Sequence, residues 1–182
     1  MLKESTKNYF YNLHDVEVNQ KYNKTLPYSF HLELVYLQGL KFIHLIPDVK
    51  LRPENSFSND RLRDAVLIAC IGHDSIEDAR LTYNDIKELY GVEVAEMIYL
   101  VTDNKGRNRL ARKSDEYYQD LKSNPLAVFV KLCDLMANIK FGILTNSTML
   151  SKYKSEYPNI REKLYSKEYD EMFIYIDSLL KI

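Results

Sequence analysis

The chain has 182 residues, 46% of them hydrophobic, which fits one compact domain and leaves little room for a second. Its 25 Lys and Arg nearly cancel 26 Asp and Glu, for a formal net charge of -1, so no whole-chain field marks a nucleic-acid or anionic-membrane surface and any anion site must be local. Only 5 Gly and 5 Pro argue against a turn-rich all-β fold. No apolar run approaches the ~20 residues of a membrane span, and the opening residues Met1 to Lys7 lack the apolar core of a signal peptide, so a cytoplasmic protein without membrane attachment is expected.

In chain order, Leu34, Val35, Gln38 and Phe42 recur at helical spacing and predict a helix from about Tyr28 to Ile46, stopped by Pro47. Residues Pro47 to Asn59 carry turn chemistry without periodicity and predict an exposed loop. Asn59 or Asp60 then caps a helix whose stripe of Leu62, Val66, Ala69 and Cys70 puts His73 on the buried face. Thr82 caps a helix to Tyr90 that Gly91 ends, and the Val94, Ile98 and Val101 run leads to a polar turn at Asp103 to Lys105. A basic helix is expected from about Arg107 to Lys122, and Pro125 opens the most apolar helix, to about Leu144. Two amphipathic segments, near Ile160 to Leu164 and Tyr169 to Leu180, close the chain, and without a run of alternating strand residues the fold class is all-α. Cys70 and Cys133 lie in apolar segments without metal-ligand spacing, so neither a disulfide framework nor a thiolate zinc site is indicated.

Burying a charge without a partner costs more than one helix returns, so polar residues inside apolar helices are the informative ones. Ala65 to Gly72 leads into His73-Asp74, Ala127 to Cys133 leads into Asp134, and His31 lies in the apolar segment after Tyr28. One divalent cation held by His31, His73, Asp74 and Asp134 would satisfy all four. His73 and Asp74 differ by about 100° around a helix, so both reach one ion only at its end or edge. Taken singly, His31 also reads as a hydrogen-bonded core histidine and Asp134 as a partner of Lys131. His14 and His44 lack this context and are assigned to the surface or to local packing.

The order His31, His73-Asp74, Asp134 resembles the HD phosphohydrolase superfamily. His73-Asp74-Ser75-Ile76-Glu77-Asp78 resembles the His-Asp-x-x-Glu-Asp motif of the RelA/SpoT-type hydrolase domain and of small alarmone hydrolases, including the metazoan SpoT-like ones. Pro27-Tyr28 before His31, Val101 to Lys105 with the arginines that follow, and Val130 to Asp134 with Asn138 are similar to further motifs of that family. The resemblance covers about residues 21–138 and departs from the pattern at Leu32, where proline is usual, and in a longer His31-to-His73 spacing whose extra length falls mainly in the Pro47 to Asn59 loop.

The resemblance implies one HD hydrolase domain over 1–182, a helical bundle with its metal site between core helices and C-terminal helices, 148–182, packed on it. It also implies removal of the 3′-pyrophosphate from guanosine 3′,5′-bis(diphosphate) or its triphosphate analogue. Glu77 and Asp78 would position and deprotonate the attacking water and handle the leaving-group proton. Arg107, Arg109, Arg112 and Lys113 form a local cationic cluster suited to polyphosphate, although a charge run also reads as a solvated face. Arg109 and Lys21 fall where similar hydrolases bind phosphate, Asn138 matches a substrate-site residue, and Tyr157 is the guess for a purine or ribose contact. No histidine follows His73, which favours one ion, manganese in the hydrolases it resembles. Alternatives within the class are a nucleotidase or NADPH phosphatase, for which Glu77 alone would suffice, and a hydrolytic antitoxin acting on a synthetase product or modified tRNA. A non-catalytic HD-like nucleotide-binding module is the alternative outside it.

Overall fold

The computed structural model describes residues 2–51, 61–103 and 114–181. Its helices are α1 (Glu4–Asn12), α2 (Ser29–Phe42), α3 (Leu62–Gly72), the single turn α4 (Ser75–Asp78), α5 (Tyr83–Tyr90), α6 (Val92–Val101), α7 (Asp115–Ser123), α8 (Pro125–Thr145), α9 (Met149–Leu164) and α10 (Asp170–Leu180). A wide π turn, Leu13–Glu17, extends α1. The all-α expectation holds, and the described residues add a short hairpin, in which β1 (Lys21–Tyr22) pairs antiparallel with β2 (Leu26–Pro27). Asn23 and Lys24 turn it with φ of 49° and 69°. None of the described helices is long and apolar enough to cross a membrane.

Helix α8 organises the fold. Asn124 caps it by accepting from the backbone N–H groups of Leu126 and Ala127, Pro125 fills the first turn where no N–H is needed, and Asn146 ends it in the left-handed region at φ 50°. Its buried positions, among them Val128, Phe129, Val130, Leu132 and Cys133, surround the helix instead of forming one stripe, the pattern of an element enclosed on all sides. Helices α2, α3, α6, α7, α9 and α10 all pack on it. Buried apolar residues from Leu2 to Leu180 form one cluster.

Helix α3 is buried without interruption from Ala65 to Gly72. Gly72 is required by close approach, because a Cβ there would meet the Phe10 ring at 2.6 Å. Thr82 caps α5 in a reciprocal box with Asp85, as its sequence predicts. Gly91, at φ 93°, lets α5 stop and α6 start without a linker.

Two expectations about helix starts need correction. Helix α3 starts at Leu62 behind Arg61, not behind Asn59 or Asp60, because Arg61 is held extended by a bridge to Lys50 and by its ion pair with Asp48. The predicted basic helix is not one element: Ser114 is extended and its hydroxyl accepts from Tyr117 N–H, so α7 starts at the acidic Asp115 and Glu116, which suit a helix N-terminus. Residues 104–113, with the whole cationic cluster, lie outside the described residues, as do 52–60 of the predicted loop.

Candidate metal and catalytic site

Three helices aim four side chains at one point. His31 lies in the first turn of α2, His73 and Asp74 stand where α3 breaks before α4, and Asp134 lies in mid-α8. The break answers the geometric problem of adjacent ligands, since past the helix end their side chains are no longer fixed about 100° apart. His31 Nε2 and His73 Nε2 are 3.3 Å apart. Asp74 Oδ2 is 2.9 Å from His73 Nε2 and 3.7 Å from His31 Nε2, while Asp134 Oδ1 is 3.4 Å from His31 Nε2 and 3.7 Å from His73 Nε2. The donor atoms of His31, His73 and Asp74 lie within 4.8 Å of one another.

The chemistry of these donors fits a cation. Both imidazoles are buried, and His73 Nδ1 is 3.0 Å from the Cys70 carbonyl, which can only accept. Nδ1 therefore carries a proton, and in the neutral ring Nε2 presents a lone pair toward His31 and two carboxylates. Burial works against a charge on His73, but Asp74 and Asp134 outweigh it and raise its pKa to about 9. Burial likewise works against ionised Asp74 and Asp134, yet the facing imidazoles hold both well below the usual carboxylate range, with Lys131 assisting at Asp134. A site that gathers positive charge so strongly is suited to a divalent ion with nitrogen and oxygen ligands.

Surrounding side chains orient the set. The Tyr28 hydroxyl donates to Asp74 Oδ2 at 2.5 Å. Asn138 donates to Asp134 Oδ1 at 2.6 Å and accepts from the Tyr22 hydroxyl at 2.9 Å, and the Tyr22 ring stacks on His31 with centroids 4.7 Å apart. Lys131 Nζ sits 3.6 Å from Asp134 Oδ2 and 3.7 Å from Asp103 Oδ1.

The cluster floors a cleft also lined by Glu77, Asp78, Asp103, Tyr118 and Tyr153. Glu77 and Asp78 share the short turn α4. Burial raises the pKa of both, with Asp103 and Asp74 adding to the effect on Glu77 and Asp74 to that on Asp78. A carboxyl whose pKa is lifted toward neutrality is the better proton acceptor.

His31, His73, Asp74, Glu77, Asp78, Asp134 and Asn138 are thus brought together. Lys21 is exposed on β1 and is not among the cleft's lining residues, and Arg109 lies outside the described residues. Tyr157 is a correction: it is 1% exposed, with its hydroxyl donating to Asp177 Oδ1 at 2.6 Å, so its ring belongs to the packing of α9 on α10. Tyr153, one helical turn earlier, lines the cleft instead. Tyr22 and Tyr153 carry no sequence signal, because an isolated aromatic residue has no spacing signature, whereas Lys131 pairs with Asp134 as their three-residue spacing suggests. The Pro27-Tyr28 motif did mark the place of Tyr28.

No family model matches the chain. Its fold is that of a structure described as a metazoan ortholog of SpoT that hydrolyzes ppGpp: the two superpose with a TM-score of 0.65 over 96% of this chain and 97% of the other, at 19% identity. By sequence, the chain is similar to guanosine-3′,5′-bis(diphosphate) 3′-pyrophosphohydrolases. The Drosophila melanogaster MESH1 protein is 31% identical over 77 residues, 42% of this chain and 43% of the relative. The Mus musculus one is 35% identical over 75 residues, 41% and 42% of the two chains, and the Aquifex aeolicus enzyme is 33% identical over 78 residues, 41% of this chain and 11% of that one. The likeness thus spans about two fifths of the length of these MESH1 relatives.

Proposed function

We propose that this chain is a metal-dependent, cytoplasmic 3′-pyrophosphohydrolase of guanosine 3′,5′-bis(diphosphate) and its triphosphate analogue, a single HD domain over 1–182 that uses one manganese ion. The observation that carries the reading is the convergence of His31, His73, Asp74 and Asp134 beside the acidic pair Glu77 and Asp78 in one cleft. The relatives' names supply the substrate. Of the two other histidines, His44, just after α2, pairs with Glu171 at the surface and His14 bonds Gln20, which leaves the chain without a histidine set for a second ion.

When bound, the ion supplies Lewis acidity, lowering the pKa of a water and polarising a phosphoryl oxygen. Glu77 and Asp78 hold and accept the proton of the attacking water and return one to the leaving oxygen. Asn138 and Tyr28 keep the carboxylates of Asp134 and Asp74 turned toward the imidazoles. Among the described residues Lys131 is the basic side chain that lines the cleft, and it is matched against Asp103 and Asp134, so phosphate needs further positive charge, which we assign to Lys21 and Arg109.

The test is a panel of alarmones, NADPH, nucleoside monophosphates and deoxynucleoside triphosphates, offered to purified protein with manganese. The alarmones should be cleaved preferentially, and Glu77→Gln should retain metal and substrate affinity while losing 10²- to 10⁴-fold in turnover. Preference for NADPH or a monophosphate would replace the substrate assignment. Near-native turnover by the variant would remove Glu77 from the chemistry.

A further inference from the structure

One buried imidazole near the cleft has no part in the chemistry above. His14 is carried by the π turn after α1 and is fully buried. Its Nδ1 lies 2.7 Å from Gln20 Oε1, and Gln20 Nε2 donates to Asp78 Oδ2 at 2.8 Å. The His14 ring stacks on Tyr28, with centroids 5.0 Å apart and planes within 17°, so its plane is fixed by the same tyrosine that bonds Asp74.

The chemistry of the groups gives this chain a direction. An ionised carboxylate only accepts, so Gln20 must turn its amide NH₂ toward Asp78 and its oxygen toward His14. That oxygen also only accepts, so His14 Nδ1 must carry the proton. His14 Nε2 is buried with no hydrogen-bond partner among the described residues, and burial lowers the ring's pKa even against the pull of Gln20 and Asp74. The ring is therefore neutral, protonated on Nδ1 alone.

Asp78 needs such a partner. It is the last residue of a one-turn helix, and Ala79 and Arg80 then leave the helical region, Arg80 with φ 64°. Its own element thus gives its side chain little lateral support. We infer that Gln20 is a positioning residue for Asp78, aimed by the Nδ1–H of His14: it holds one carboxylate oxygen and leaves the other turned to the cleft. The inference deepens the proposed function and rests on its reading of Asp78.

Three variants and one spectrum test it. Gln20→Ala removes the bond to Asp78, and His14→Phe keeps burial and the stack on Tyr28 while removing only the donor. Each should lower kcat on the alarmone about 10-fold with KM unchanged within about 2-fold, the range expected when a reacting group loses its aim. In an Asp78→Asn background, Gln20→Ala should add no further loss. Native kcat in His14→Phe would reduce His14 to packing, and losses that multiply in the Asp78→Asn background would show that Gln20 acts elsewhere; either result overturns the inference. Nitrogen NMR of the imidazoles needs no substrate: His14 should be the Nδ1-protonated tautomer in the native protein and lose that preference in Gln20→Ala. An Nε2-protonated ring overturns the relay whatever the enzyme hydrolyses. The expected tautomer in a protein that leaves alarmones intact would instead fault the functional reading and leave the relay standing.

Discussion

Gly72→Ala is a demanding test of the packing, because the added methyl lands on a surface with nowhere to go. Its Cβ would lie 2.6 Å and 2.7 Å from Phe10 Cζ and Cε1 and 3.1 Å from Ile98 Cδ1. Carbon atoms pack at about 3.5–4.0 Å, so the ring must withdraw by about 1 Å. Phe10 is fully buried, stacked on Tyr90 at 5.4 Å and edge-on to Tyr9 at 5.3 Å, and those rings block the retreat. Overpacking costs about 1–3 kcal/mol, and a contact this short on a ring so confined belongs at about 2–3 kcal/mol. Alanine's better helix propensity returns about 1 kcal/mol, leaving about 1–2 kcal/mol net. In a domain of this size that lowers Tm by about 2–8 °C in a circular-dichroism melt. Combining the change with Phe10→Leu should cost less than the two single losses added, since the smaller side chain vacates the collision. An unchanged Tm, or strict additivity in the double variant, would refute the assigned contact between α1 and the end of α3.

Metal analysis of protein purified without chelator should find about one equivalent per chain, and Asp134→Ala should lose most of it. Two tightly held equivalents would rule out a single-ion centre. Arg109→Ala should raise KM for the alarmone while metal content stays native, because its proposed role is to neutralise phosphate away from the ion; unchanged saturation kinetics would return that arginine to a solvated face.

How much of this the sequence carries can be argued residue by residue. Helices α3, α5 and α8 were legible because their signals are local: an apolar run, the Thr82 box and Gly91, and Asn124-Pro125 before a long apolar stretch. The convergence of His31, His73, Asp74 and Asp134 was legible because a charged residue inside an apolar helix demands an explanation. What was not legible depends on contacts between distant segments. Arg61 is extended because Lys50 pairs with it, which no cap rule anticipates. Tyr157 and Tyr153 lie on one helix and are equally plausible as base contacts from sequence. Only the docking of α10, through Asp177, turns the first inward and leaves the second at the cleft. From sequence His14 reads as packing or surface, and its link to Asp78 through Gln20 crosses 58 positions between Gln20 and Asp78, which no local pattern encodes.

The long reach of the hydrogen bonds around the cluster also bears on how the protein is born. Tyr22, stacked on His31, reaches Asn138 across 116 positions, and Asn138 is what steadies Asp134. Translation at ~5–20 residues per second takes roughly 6–23 s to cover that interval. Throughout that time a nascent chain already displays His31 and later His73 without the residue that completes their set. Closing so large a loop is entropically unfavourable until α8 emerges and its apolar surface repays the cost. Maturation of the cluster is thereby deferred until most of the chain has left the ribosome, and a stalled or truncated product lacks it.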